Sequence, residues 1–409
     1  MTICAVRRIL AVRAVRAVRA TRATRATRAL GVAAIASIAA LALACATRLS
    51  AAQGIPDRLA DSTFWRMMTE MSEPGGYFRS DNFISNEASF QWVIPELQRV
   101  VKRGGVYLGV APDQNFTYLV ALRPKIAFIV DIRHQNAIQH LMYKALFELS
   151  ADRADFVSRL FSRARPRGLD SSSTAEALFQ AFAPVAPDST LYRKTLAAMK
   201  DRLMKGHNFA LTDEELRLLE YVFDAFYSAG PALTYNFGQG RGGYGGGFGR
   251  GMPSYEQLMM ESDGQGVNRA YLASEANYRV LRDLETRNLV VPLTGNFAGD
   301  KAVRAVGEWV RERGATVTTF YTSNVEQYLF QQNDEWSRWH RNVATLPLDS
   351  SSTFIRSLSQ GGGGCGAAFR QQSQWSRSIQ LLSSMIEQVK AFQDGRVQYY
   401  CDVIRISRQ

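Results

Sequence analysis

The spacing of hydrophobic and polar residues changes along this chain, most clearly in the block Gly104–Asn136. Val106–Val110 and Ile126–Ile132 are short, continuous apolar runs, and each predicts a buried strand. Between them, Pro112, Asp113 and Asn115 predict a turn at Ala111–Asn115, and Phe116–Arg123 predicts a short helix. A strand–turn–helix–strand unit of this kind is typical of the opening of a doubly wound α/β sheet.

The same alternation returns in the last third of the chain. Strands are predicted at Leu289–Leu293 and Thr316–Tyr321, with a helix at Asp300–Arg313 between them. Val397–Ile406 predicts a final strand, and Ser350–Thr353 predicts a turn or short helix. Helical spacing predicts further helices at Ala60–Met71, Glu87–Arg103, Gln135–Ser150, Tyr271–Arg287, Trp336–Asn342 and Arg370–Gln393. The predicted fold class is therefore α/β with a doubly wound, Rossmann-like sheet.

Residues 151–230 have helical patterns and few strand patterns, so they predict a helical insertion packed against the sheet. The predicted helices are Arg153–Ser162, Ser173–Ala183, Ser189–Lys205 and Thr212–Ser228. Thr212 and Glu215 have the spacing of a capping box. The run GQGRGGYGGGFGRG at 238–251 resembles RNA-binding tracts in composition, but it is short and isolated, which favours a surface loop. We therefore predict a single domain over residues 60–409.

Residues 1–52 have the pattern of a targeting segment. A low-complexity Arg repeat precedes the apolar run LGVAAIASIAALALACA, as in an export signal, and the run is almost long enough for a membrane anchor. Cleavage is expected after Ala46 or Ala52; lipidation at Cys45 is a minor alternative, since its box has Ala42 where Leu is usual. The expected location is periplasmic or membrane-anchored. The alternative is a misassigned start codon and a cytoplasmic protein.

The charge distribution and the cysteine content limit the kinds of partner and metal site that this chain is expected to have. Residues 1–52 contain nine arginines and no acidic residue, so removing them lowers the net charge from +12 to +3. The rest of the chain therefore carries nearly as many acidic as basic residues, which argues against a nucleic-acid-binding surface. Cys365 and Cys401 either form a disulfide bond or remain separate thiols, and two cysteines without a nearby histidine do not make a zinc site. The sequence has no HExxH motif, phosphate-binding P-loop or Gly-x-Ser-x-Gly elbow.

Polar residues follow four of the predicted strands at their carboxyl ends, where open α/β sheets bind ligands. Asp131 ends the apolar run Phe128–Val130, so its carboxylate must leave the core or find partners. Asp113, Asn115, Ser323 and Asn324 have helix capping as an alternative role. The candidate site consists of Gly109, Asp113, Asn115, Asp131, Asn296, Ser323, Asn324 and Glu326. Glu326 is the candidate general base by position only, and no metal site is predicted.

Several long runs resemble a bacterial family of uncharacterised proteins whose fold is similar to class I S-adenosylmethionine-dependent methyltransferases. The runs are FISNE, VIPEL, GVYLGVAPDQNFTYLVALRPKIAFIVDIRHQN, HLMYKALFELS and NLVVPLTGNFAGDKAVRAVGEWVRERGATVTTFYTSNVEQYLF. The resemblance covers roughly residues 60–360 and implies S-adenosylmethionine as a cofactor, with Asp131 at the adenosine ribose and Gly109, Asp113 and Asn115 lining the first turn. Where the methyltransferase pattern has two or three glycines, this chain has only Gly109.

These observations predict an exported, methyltransferase-like protein that binds a nucleoside-like or other small polar ligand at the strand ends. Asp131, Gly109, Asp113 and Asn115 would hold the ligand or cofactor, and Asn296, Ser323 and Asn324 would face a substrate. One alternative is an active cytosolic methyltransferase with a misassigned start. Another is a non-catalytic binding or structural protein. No nucleic-acid partner is expected, a membrane contact is expected only through the N-terminal segment, and the oligomeric state stays open.

Overall fold

A single mixed sheet organises the protein. The structure, a computed structural model, describes residues 54–235, 237, 252–359, 365 and 378–408. In these residues the sheet is built from β1 (Val106–Gly109), β2 (Ile126–Asp131), β3 (Val290–Thr294), β4 (Val317–Ser323), β5 (Thr353–Ser359) and β6 (Ser378–Ser384). The spatial order is β3-β2-β1-β4-β5-β6. The first five strands are parallel, and β6 runs antiparallel to β5.

Helices connect and cover the strands. Before and between β1 and β2 lie α1 (Asp61–Glu70), α2 (Ile94–Val100) and α3 (Gln114–Leu122). Between β2 and β3 lie α4 (His134–Leu149), α5 (Arg153–Phe161), α6 (Ala175–Phe182), α7 (Ser189–Asp201), α8 (Asp213–Ala229), α9 (Tyr255–Met260) and α10 (Glu275–Thr286). The remaining helices are α11 (Ala302–Glu312), α12 (Val325–Leu329), α13 (Glu335–Val343), α14 (Met385–Gln393) and α15 (Tyr400–Arg405).

The central strands are buried along their whole length, which explains their continuous apolar runs. Every residue of β1, β2 and β3 is buried, as expected for parallel strands covered by helices. Helix α4 packs on β2 and β3 and also on α8. Its long buried surface therefore joins the sheet to the helices that follow it in the chain.

The chain direction reverses in the sheet between β1 and β4. From β1 the chain proceeds outward to β2 and then β3, whereas from β4 it proceeds to β5 on the other side. Connections that leave neighbouring strands in opposite directions open a crevice at the carboxyl ends of those strands. The fold therefore places a cleft beside the ends of β1 and β4.

The sequence pattern located the first four strands within two residues of their ends, and it also located the helices of residues 151–230. The predicted helices at Arg153–Ser162, Ser173–Ala183 and Thr212–Ser228 correspond to α5, α6 and α8. The capping box of α8 is confirmed, because Thr212 and Glu215 bond each other's backbone N–H groups. Ser189–Lys205 corresponds to α7 followed by a π-helical turn at Arg202–Gly206.

The prediction was wrong at the carboxyl-terminal edge of the sheet. Arg370–Gln393 was predicted as one helix; its first eight residues lie outside the described residues, residues 378–384 form β6, and Met385–Gln393 is helical. Val397–Ile406, predicted as a strand, contains helix α15 instead, and the turn predicted at Ser350–Thr353 leads into β5. Pairing with β5 decides the conformation of β6, since the pattern SIQLLSSMIEQV alone satisfies a helix.

Helix α2 is also shorter than predicted. The pattern extended a helix over Glu87–Arg103, but residues 88–93 form turns and the helix begins at Ile94. Pro95 explains the difference, because proline lacks an N–H donor and is tolerated only in the first turn of a helix. Glu87 therefore lies in a loop that precedes the helix.

A disulfide bond joins Cys365 to Cys401. It connects the segment between β5 and β6 to the start of α15. Of the two alternatives that the sequence left open, the structure has the paired one. The Gly-rich run 238–251 and residues 1–52 lie outside the described residues.

Candidate functional site

A crevice of about 200 Å³ lies at the carboxyl ends of β1 to β4. The ends of β1 and β2 contribute Val110, Ala111 and residues 130–133, and the ends of β3 and β4 contribute residues 295–297 and 323–325. A larger groove of about 440 Å³ lies at the opposite ends of the strands, beside Arg123 and Lys125. We assign the candidate site to the crevice, because polar groups from four strands converge there.

Aromatic side chains form one wall of the crevice. Phe78 and Tyr328 meet edge to face with their ring centroids 5.5 Å apart, and Tyr77 beside them is 86% exposed. The segment that carries Phe78 is bound to the strand ends, because Gly76 N–H donates to the Ile132 carbonyl at 2.8 Å. A side chain at Gly76 would meet Ile132 at 2.6 Å, so glycine permits this close approach.

Asp131 lies at the floor of the crevice in a buried ion pair with Arg133. Its Oδ1 accepts from the backbone N–H and the Nε of Arg133 at 2.9 and 3.0 Å, and its Oδ2 accepts from Nη2 at 2.8 Å. Arg133 also donates to the carbonyls of Ser80 and Asp81, which lie in the segment above. A carboxylate has about four acceptor positions. Three are used by Arg133, so one acceptor position of Asp131 has no partner among the described residues.

Gly109 and Asn115 hold the turn after β1 and do not line the crevice. Asn115 is fully buried; its Oδ1 accepts from Tyr107 OH at 2.8 Å, and its Nδ2 donates to the carbonyls of Val110 and Pro112 at 2.8 and 2.7 Å. A Cβ on Gly109 would stand 2.0 Å from Asn115 Oδ1. The glycine thus makes room for the protein's own asparagine.

Ala111, in the same turn, adopts a left-handed conformation with φ of 68°. The His140 side chain stabilises this turn, because its Nε2 lies 3.1 Å from the Ala111 carbonyl oxygen. Burial lowers the pKa of His140 to about 4, so its ring is neutral at neutral pH and donates through Nε2. The crevice-facing end of β1 is therefore a constrained backbone rather than a glycine-rich loop.

Asp113 occupies the N-cap position of α3 but makes no capping bond. Its carboxyl is 1% exposed, and neither oxygen has a hydrogen-bond partner in the described part of the chain. Burial raises the pKa of Asp113 to about 7. The carboxyl lies within electrostatic range of the buried Tyr143, Tyr255 and Tyr271. It is thus separated from the crevice lining.

Asn296, Ser323 and Asn324 all line the crevice. Asn296 Nδ2 lies 3.4 Å from Glu335 Oε1, and its Oδ1 accepts from Ala298 N–H at 2.9 Å. Asn324 is the N-cap residue of α12 but does not cap it with its side chain. The structure therefore brings these three residues and Asp131 together, as the strand-end argument predicted.

Glu326 points away from the crevice into the interior. Its carboxylate binds Arg356 Nε at 2.7 Å, Gln388 Nε2 at 2.9 Å and Trp339 Nε1 at 3.2 Å. Burial raises the pKa of Glu326, but the charge and hydrogen bonds of Arg356 and the Gln388 bond outweigh burial, so the pKa lies below its ordinary value. In this position Glu326 anchors α12 and is not among the residues that line the crevice.

Glu87 is a buried carboxylate at the crevice that sequence reasoning missed. Its Oε1 accepts from Ser323 Oγ at 2.5 Å, and its Oε2 accepts from Tyr321 OH at 2.9 Å and from Gln380 Nε2 at 3.1 Å. Burial raises the pKa of Glu87, and these hydrogen bonds only partly offset the rise. Because its partners lie more than 230 positions away, no local sequence signal pointed to it.

Three residues of the crevice other than glycine have positive φ angles. They are Asn82 at 48°, Ala111 at 68° and Ser323 at 52°. Such conformations cost about 1–3 kcal/mol each and cluster at functional sites. Their presence in one crevice supports its choice as the candidate site.

The sequence of this chain matches a known protein family model. A profile described as a domain of unknown function (DUF7790) matches residues 82–204 and 250–402, which is more than half of the sequence. The chain belongs to the DUF7790 family. Among curated proteins, none matches it. The DUF7790 description names no activity, so the methyltransferase resemblance stays a hypothesis. The crevice residues of β1, β2, β3 and β4 all fall inside the matched ranges.

Two further observations on the described residues limit the kinds of site that they form. No helix among them is long and apolar enough to cross a membrane. No group of three or more His, Cys, Asp or Glu side chains within the same residues has the geometry to hold a metal ion.

Proposed function

We propose that this DUF7790 protein has a doubly wound, methyltransferase-like fold and binds a nucleoside-like ligand in the crevice at the strand ends. The observation that carries the proposal is one crevice with an aromatic wall and polar side chains from four strand ends. The strand order β3-β2-β1-β4-β5 supports the fold assignment, because it is the order of dinucleotide-binding sheets. The antiparallel β6 departs from that all-parallel arrangement.

The crevice suits a flat ring that carries hydroxyl groups. Tyr77, Phe78 and Tyr328 offer surfaces on which a base can stack. The remaining acceptor of Asp131 lies at the tip of β2, where related folds bind a ribose hydroxyl. Asn296 and Asn324 add amide groups from the ends of β3 and β4. Stacking would hold the ring, and these polar groups would orient the sugar.

S-adenosylmethionine as a whole does not fit these residues. The space over Gly109, where the methionine part would approach the backbone, is filled by the side chains of Asn115 and Tyr107. The crevice of about 200 Å³ is also smaller than the usual ligand pocket of roughly 300–1,000 Å³. The proposed ligand is therefore the nucleoside part alone, without methyl transfer.

Isothermal titration calorimetry of the purified protein tests the proposal. We expect adenosine to bind, and we expect S-adenosylmethionine and S-adenosylhomocysteine to bind no more tightly than adenosine, since Asn115 fills the place of their amino-acid part. Tyr328→Ala should weaken adenosine binding by about 1–3 kcal/mol through lost stacking. Tyr399→Ala, at an exposed tyrosine outside the crevice, is the matched control. Absence of heat with adenosine at millimolar concentration would overturn the proposal.

We also propose that the protein is exported. The disulfide between Cys365 and Cys401 supports this location, because disulfides persist in oxidising compartments. Cell fractionation should find the protein outside the cytosol, and amino-terminal sequencing should find a start near Ala46–Ala52 if the signal is cleaved. A cytosolic protein with both thiols free would favour the alternative of a misassigned start.

A further inference from the structure

Ser323 lies at a sharp junction between a strand and a helix. It is the last residue of β4, and α12 begins two residues later at Val325. Its φ of 52° is left-handed, and the register of β4 against β5 shifts between Tyr321 and Ser323. A bulge and a strained φ at a strand end both redirect a side chain. Ser323 lines the crevice, and its hydroxyl donates to Glu87 Oε1.

Glu87 is held rigidly against this hydroxyl. Gln114 donates to Tyr321 OH, which in turn donates to Glu87 Oε2, and Gln380 donates to the same oxygen. Because Oε2 receives these two donors, Oε1 is left facing Ser323 Oγ at 2.5 Å. Glu87 is 3% exposed, whereas Ser323 is only half-buried. Ser323 thus lies at the surface of the crevice, and the carboxylate of Glu87 is shielded behind it.

The serine–carboxylate contact differs from others in this protein. Ser172 also donates to a carboxylate, Asp170 Oδ1 at 2.6 Å, but both residues are exposed on an ordinary turn. Ser351 donates to Asp349 Oδ1 at 2.7 Å and likewise lies outside the crevice. In the Ser323 pair the carboxylate is buried, and burial raises the pKa of Glu87 above its ordinary value.

We propose that Ser323 is a nucleophile and that Glu87 is its general base, for substrates with an activated acyl or phosphonyl group. Ser323 Oγ attacks the acyl carbon, and the hydroxyl proton passes to Glu87 Oε1. The bond to the leaving alcohol breaks, and Glu87 returns the proton to that alcohol's oxygen. Water then attacks the acyl-serine ester, Glu87 accepts a water proton and returns it to Ser323 Oγ, and the carboxylic acid leaves.

Asn324 is placed to stabilise the oxyanion of such a reaction. Its side chain lines the crevice directly after Ser323, and its amide oxygen Oδ1 lies 3.5 Å from Ser323 Oγ. A flip of this amide presents the Nδ2 donor at the same position. An amide donor aimed at a developing negative charge is the usual oxyanion partner. Hydrolysis of an ester is thus the reaction class that these three side chains support.

This inference uses the crevice of the proposed function but does not need the ligand to be a nucleoside. The probe is an alkyl fluorophosphonate, with which Ser323 Oγ forms a bond to phosphorus while fluoride leaves and the proton moves to Glu87. The full-length protein is treated with this probe, and labelled serines are located and quantified by mass spectrometry over time. We expect Ser323 to be labelled at least about 100-fold faster than Ser172.

Two variants separate chemistry from packing. Glu87→Gln should lower the rate of Ser323 labelling by at least about 100-fold. Glu285→Gln makes the same change at a buried carboxyl of α10 outside the crevice and should leave the rate within a few-fold of wild type. The comparison of Ser323 with Ser172 is made inside the wild-type protein, so it decides even if Glu87→Gln does not fold. Equal labelling of Ser323 and Ser172, or a folded Glu87→Gln with an unchanged rate, would overturn the proposal.

Adenosine competition distinguishes this inference from the proposed function. If both are correct, adenosine slows the labelling of Ser323 and leaves that of Ser172 unchanged. Rapid labelling of Ser323 that adenosine does not slow would support the nucleophile and count against nucleoside binding. Adenosine binding by calorimetry without any labelling of Ser323 would support the binding site and overturn the nucleophile.

Discussion

Arg356→Met is expected to lower the free energy of unfolding by about 3–5 kcal/mol, because it leaves the buried carboxylate of Glu326 without its counter-charge. Both side chains are about 1% exposed. Arg356 Nε donates to Glu326 at 2.7 Å, and its Nη atoms bind Gln388 at 2.6 Å and Ser407 at 2.8 Å. Chemical denaturation at neutral pH measures the loss.

The double variant Arg356→Met with Glu326→Gln should recover part of this loss, since it removes the uncompensated charge. Adenosine affinity and Ser323 labelling should stay unchanged in the folded double variant, because Glu326 does not reach the crevice. A double variant no more stable than Arg356→Met would contradict the ion-pair explanation. Loss of ligand binding in the folded double variant would return Glu326 to the candidate site residues.

Asp113→Asn is expected to make the free energy of unfolding depend less on pH between about pH 5 and about pH 8. The pKa of Asp113 is raised from 3.8 to about 7 in the folded protein, so the folded chain holds a proton that the unfolded chain has lost. Stability therefore falls as the pH rises from the unfolded pKa toward the folded one. Between about pH 5 and about pH 8 this carboxyl alone lowers wild-type stability by roughly 2–3 kcal/mol.

Urea unfolding at the two pH values measures this difference. Asparagine does not ionise, so Asp113→Asn should be stabilised relative to wild type by that amount more at the higher pH. Tyr143, Tyr255 and Tyr271 face the carboxyl, and burial raises the pKa of each well above 10, so they do not titrate in this range. Asp224→Asn, the same substitution at an exposed site of α8, is the matched control. A constant difference between wild type and Asp113→Asn would refute the buried-acid explanation.

Part of the crevice could be predicted from the sequence, because the carboxyl ends of parallel strands lie at one edge of the sheet. Asp131, Asn296 and Ser323 each follow an apolar run, and the sheet order brings those ends together. The same argument could not separate Asn115 or Glu326 from them. Whether a polar side chain near a strand end turns inward or outward depends on neighbours such as Arg356, which lies 30 residues away in the chain.

Local sequence alone determined where β1 to β4 and helices α5 to α8 form, because apolar periodicity and caps act over a few residues. It also determined that polar groups collect at one edge of the sheet. Only the tertiary structure decided that residues 378–384 form a strand and that Asn115 fills the place of a glycine-rich loop. Only the tertiary structure also placed Glu87 against Ser323. Each of these outcomes depends on contacts between distant parts of the chain, which no local pattern encodes.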